Sequence, residues 1–117
     1  MFQESLETAI PTAFENADIG ITSSEADSSS SGFAVYVDVL AEFDDTDVTA
    51  EEFRTMLQLI VENAHVSNFH GISVFASGPN NATISLGARG TELGFPDQDA
   101  TGGFSADWDD VVAFLKE

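Results

Sequence analysis

Apolar residues repeat at helical spacing from Phe53 through Met56, Leu57, Ile60 and Val61 to Ala64, while Arg54, Thr55, Gln58 and Glu62 take the other side. Thr49 before this stripe is a good N-cap, and Glu52 is placed to complete a capping box with it. Val48 and Phe53 can close a hydrophobic staple across the same end. Burying one stripe does not offset the entropy of ordering the backbone that carries it, so this helix needs a sheet to pack on.

The best strand pattern is residues 33–43. Phe33, Val35, Val37, Val39, Ala41 and Phe43 face one way, and Ala34, Tyr36, Asp38, Leu40 and Glu42 the other. Residues 17–25 alternate more weakly, with Ile19, Ile21 and Ser23 on one side, and read as an edge strand. Asp27-Ser28-Ser29-Ser30-Ser31-Gly32 then reads as a polar hairpin loop. Residues 71–76 and 82–86 are two short strands joined through Ser77-Gly78-Pro79-Asn80-Asn81, a second hairpin. At the start, Phe2, Leu6, Ala9, Ile10, Ala13 and Phe14 share a helical face, and Pro11 inside the pattern either ends or kinks that helix. Residues 87–103 lack periodicity and read as loop. Ser105 then caps a last helix with Trp108, Val111, Val112 and Leu115 on one face.

The predicted order is therefore α-β-β-α-β-β-α in a single α+β domain spanning residues 1–117. The expected architecture is a two-layer sandwich of about four mostly antiparallel strands with the helices on one face, ferredoxin-like or related to it.

Composition changes the functional picture more than the structural one. The chain has 117 residues, 43% of them hydrophobic and ten of them Phe, which suits one folded domain. It contains no Cys, which excludes disulfides and thiolate metal sites. Against 21 Asp and Glu stand only three Lys and Arg, for a net charge of −18. That balance argues against nucleic acid or an anionic membrane surface as a partner and favours basic partners, divalent cations or plain solubility. No apolar run in the sequence reaches membrane length, and a basic leader is missing from its start.

Candidate chemistry is sparse. His65 and His70 are the only imidazoles, and their spacing across a helix end, even with Glu62, is no recognised zinc arrangement. The sequence has neither a nucleophile elbow nor a glycine-rich phosphate loop, so neither enzyme activity nor a cofactor is expected. Asp97-Gln98-Asp99-Ala100-Thr101-Gly102 imitates the opening of a calcium loop, with Asp97, Asp99 and Thr101 as oxygen donors. Trp108 stands where that loop needs a bidentate Glu, flanked by Asp107 and Asp109, so at most weak calcium binding is expected. For a partner, the candidates are Tyr36, Asp38 and Leu40 on the second face of the best strand, with Asp44, Asp45 and Asp47 beside the start of the central helix.

Several short segments carry a family resemblance across roughly residues 30 to 95. Ser31-Gly32-Phe33 opens a strand, Val48-Thr49-Ala50-Glu51-Glu52 opens the helix, Ile72-Ser73-Val74-Phe75 forms a strand, and Leu86-Gly87 and Leu93-Gly94 follow. With these the chain resembles small exported domains of unknown function in actinobacterial lipoproteins. The resemblance implies a signal peptide and lipidated Cys upstream, a membrane link only through that anchor, and no catalytic residues. The expected function is a small acidic, non-enzymatic binding domain at a bacterial cell surface. The alternative is a cytosolic acidic inhibitor, an immunity protein or nucleic-acid mimic that caps a basic toxin or enzyme.

Overall fold

The helix over Ala50–Asn63 is the hub of the protein in the computed structural model, which describes residues 6–32, 34–64, 69–95, 98 and 102–116. We number the elements α1 (Leu6–Ala17), β1 (Ile21–Ser31), β2 (Ala34–Phe43), α2 (Ala50–Asn63), β3 (Gly71–Ser77), β4 (Thr83–Ile84), α3 (Leu86–Leu93), β5 (Phe104–Asp107) and α4 (Trp108–Leu115). The capping box of α2 is closed in both directions: Thr49 Oγ1 accepts from the Glu52 amide at 3.1 Å, and the Thr49 amide donates to Glu52 Oε1 at 3.0 Å. Phe53, Met56, Leu57, Ile60 and Ala64 are buried, while Val61 lies at the margin of the core.

Three of the four strand pairings are antiparallel, and the fold is α+β as expected. β1 and β2 form an antiparallel hairpin whose last pair is Ser31 with Ala34. α2 then carries the chain to β3, which lies parallel and directly hydrogen-bonded to β2. The outer edge of β3 is shared end to end: β4 pairs with Ala76 and Ser77, and β5 with residues 71–74. The fourth position in the sheet is thus one interrupted strand, from which the chain leaves to form α3 before returning.

Among the described residues the sheet has five strands, not four, and four α-helices stand against it instead of three. A ferredoxin-like arrangement is ruled out because its crossovers are split by an intervening strand, whereas β2 and β3 are neighbours. Residues 27–31 are not a loop. They extend β1 in register with β2, their backbone ladder compensating for side chains that carry no strand signal. A register shift between Ile21 and Ser23 turns Ser23 away from Ile21, onto the face it shares with Glu42. Ser105 belongs to β5 and does not cap α4, whose N-cap is Asp107. Pro11 is accommodated within α1, which runs through it to Ala17.

The inner face of the sheet (Ala26, Val37, Val39, Ala41, Phe43, Ile72, Val74, Ile84 and Phe104) forms one core with Ile10 and Phe14 of α1, the α2 stripe, Leu86 of α3, and Trp108 and Val111 of α4. Phe104 sits at its centre, edge-on to Phe53 at 4.9 Å and to Phe95 at 5.1 Å between ring centroids. The described helices therefore lie on one side, and among the described residues no element covers the opposite face of the sheet.

Candidate functional site

Strand pairing lays out that uncovered face as a grid. Across β1, β2, β3 and β5, one row is Ser29, Tyr36, Gly71 and Asp107, and the next is Asp27, Asp38, Ser73 and Ser105. A third row runs Glu25, Leu40 and Phe75, and a fourth Ser23, Glu42 and Ser77. Leu40 and Phe75 are direct cross-strand partners and are 53% and 49% exposed, the large apolar residues most open to solvent among those described. Tyr36 and Asp38 are half-buried on the same face.

Both aromatic rings rest on glycines in the neighbouring strand position. A Cβ on Gly71 would lie 2.8 Å from Tyr36 Cδ1, and one on Gly103 would lie 2.4 Å from Phe75 Cδ1. The missing side chains leave room for one edge of each ring against the glycine, a known way of protecting glycine backbone in strands.

Charge on this face is of one sign. Glu25, Asp27, Asp38, Glu42 and Asp107 occupy it, and Asp27 stands directly opposite Asp38 in the β1–β2 ladder. Like charges facing each other across strands are destabilising. The three cations of the chain are elsewhere, in the helical layer. Arg54 of α2 stacks 5.5 Å from the centroid of Phe114 in α4. Arg89 and Glu92 of α3 form an ion pair at 2.9 Å, without hydrogen-bond alignment at Nε, and Lys116 follows α4.

Two depressions open onto the face. One of about 480 Å³ is lined by residues that include Tyr36, Gly71, Ser73, Gln98, Asp107 and Asp110. The other, of about 310 Å³, lies on β1 and β2 around Ser23, Glu25, Leu40 and Glu42. The Gln98 side chain spans the free edge of β5 by pairing with both the Ser105 carbonyl at 2.6 Å and the Ser105 amide at 3.1 Å, so it completes the ladder on that side.

The residues singled out in the sequence divide accordingly. Tyr36, Asp38 and Leu40 do share one open face. Asp44, Asp45 and Asp47 follow the far end of β2, and at about 3.3 Å per residue Phe43 is roughly 10 Å along the strand from Leu40 and roughly 23 Å from Tyr36. Asp45 and Asp47 each accept from the next residue's amide, at 2.7 and 2.8 Å, so these two carboxylates shape the turn into α2. Phe75 shares this face and is not among the candidates read from the sequence, although its alternation with Ile72 and Val74 carries the signal.

His65, Asp97, Asp99 and Thr101 lie outside the described residues. Asp107 and Asp109 are exposed at the start of α4, and no group of three metal-ligating side chains occurs among the described residues. His70 acts structurally: its Nδ1 accepts from the Val35 amide at 3.0 Å, its own amide donates to Val35 O at 2.7 Å, and its carbonyl accepts from the Trp108 amide at 3.0 Å. No described helix is long and apolar enough to cross a membrane. No family model matches the chain, and neither a curated protein nor a solved structure matches it.

Proposed function

We propose that this chain is a small acidic, non-enzymatic interaction domain that docks a basic protein on the open face of its sheet. One observation carries the reading: Leu40 and Phe75 form an exposed apolar pair with Glu25, Asp38 and Glu42 beside Leu40, while every Lys and Arg of the chain lies in or just after a helix. An apolar centre with a charged rim is the usual anatomy of a protein interface, and single-sign charge selects a partner of opposite sign. A second copy of this chain is a poor occupant, because it would set carboxylate rows against each other with no cation between them. The setting implied by the lipoprotein resemblance, display at a bacterial surface, belongs to this proposal. A cytosolic inhibitor of a basic toxin or enzyme is the second reading, supported by the facing Asp27 and Asp38, whose repulsion a partner's cation would relieve.

Capture at low salt tests the proposal. The wild-type protein should retain a basic protein that Leu40→Thr/Phe75→Thr fails to retain, threonine being chosen because it keeps the strand preference. Neutralising Glu51 and Glu62 on α2 should leave retention intact. If no basic protein is retained, or if the α2 variant loses it equally, the docking face is wrong.

A further inference from the structure

We infer that the depression beside Tyr36 is a seat for a single guanidinium group, an arginine side chain that anchors the basic partner. The inference rests on the docking reading above and specifies its contact chemistry. Three kinds of surface meet in this depression of about 480 Å³. Tyr36 contributes an aromatic ring, one edge of which is laid against Gly71. Asp107 is next in the same row, paired with Gly71, and Asp110 lines the same space from the first turn of α4. Ser73 and Ser105 add hydroxyls between them.

An aromatic surface with two carboxylates suits a flat cation better than a compact one. Guanidinium stacks on a ring while its edge donates to carboxylates in a fork, whereas an ammonium is strongly hydrated and makes point contacts. The start of α4 opposes this charge, since a helix N-terminus carries about half a positive charge. Asp107, Asp109 and Asp110 at that end outweigh it. Both arginines of the chain are engaged elsewhere: Arg54 stacks on Phe114 and Arg89 pairs with Glu92. Arginine from outside would extend the docking strip from Leu40 and Phe75 toward β5.

The probes are N-acetyl-arginine amide, its uncharged citrulline counterpart and N-acetyl-lysine amide, each titrated into the full chain while backbone amide shifts are followed by NMR. The arginine compound should give saturable shifts at Gly71, Ser73, Ser105 and Asp107. Citrulline and lysine compounds should bind at least roughly tenfold more weakly. Asp107→Asn/Asp110→Asn should weaken arginine by roughly tenfold or more, and Tyr36→Leu by roughly threefold. Asn is as good an N-cap as Asp, so the double variant keeps the start of α4.

Equal binding of citrulline overturns the inference, and so do unsaturable shifts spread over Glu51 and Glu62 as much as over Asp107. Equal binding of lysine overturns the choice of guanidinium. The two proposals fail separately. Saturable arginine binding without loss of the captured protein in Leu40→Thr/Phe75→Thr removes the docking face and leaves the seat. Loss of capture without arginine binding removes only the seat.

Discussion

Gly90 shows why single residues in this protein resist reading from composition. It lies in the middle of α3, where alanine would be favoured by about 1 kcal/mol. A Cβ there would stand 2.5 and 2.8 Å from two ring atoms of Phe104. Phe104 is fully buried and held edge-on by Phe53 and Phe95, so the ring has no room to yield. Overpacking of this kind costs about 1–3 kcal/mol, which outweighs the propensity gain. Gly90→Ala should therefore lower the thermal midpoint, and a raised midpoint would show that the ring can move. The outer face carries the converse case, since Gly71 and Gly103 leave room for one ring edge of Tyr36 and of Phe75. Gly90 and Gly103 fall in a stretch that reads as loop in the sequence, because the ring that needs each of them is distant along the chain.

Among the elements, α2 was legible in full. Its capping box, staple and stripe are local signals, and each one is present: Thr49 and Glu52 exchange hydrogen bonds, and Val48 is buried ahead of Phe53. Thr49→Ala should cost about 1 kcal/mol in chemical denaturation, and Thr49→Ser far less. Equal losses would mean that the hydroxyl is not what stabilises this end. The elements that were not legible depend on partners instead. α3 holds Gly87 and Gly90 within its eight residues, has no side-chain cap, and closes through Gly94 and Phe95 amides bonded to Thr91 and Gly90 carbonyls. β5 is four residues long and exists only along the edge of β3. The serine run of β1 is held by its ladder with β2, beyond the reach of any apolar alternation. On the candidate face, period-two alternation in β2 exposed Tyr36, Asp38 and Leu40 to sequence reading. The register that brings Phe75 and Asp107 beside them required the fold.

At the scale of the molecule, charge acts in opposite senses on stability and on binding. A net charge of −18 repels itself, and the facing Asp27 and Asp38 add a local instance. Salt shortens the Debye length from about 10 Å at 0.1 M to about 3 Å at 1 M. The thermal midpoint should thus rise by several degrees over that range, and an unchanged or falling midpoint would mean that surface repulsion is not a significant cost. Binding of a basic partner should weaken over the same range, because the same screening removes the attraction.

Under the proposed function a basic partner docks on Leu40 and Phe75, with Glu25, Asp38 and Glu42 beside Leu40. Calorimetric titration of the captured partner into wild type, Leu40→Thr/Phe75→Thr and Glu51→Gln/Glu62→Gln tests it most directly. Truncating central interface residues typically costs more than about 1 kcal/mol each. The expected result is at least roughly a tenfold loss for the Leu40/Phe75 variant at both low and high salt, with only a small, salt-sensitive loss for the α2 variant. Wild-type affinity in the Leu40/Phe75 variant, or a larger loss in the α2 variant, would place the partner on the helical side and overturn the proposed docking face.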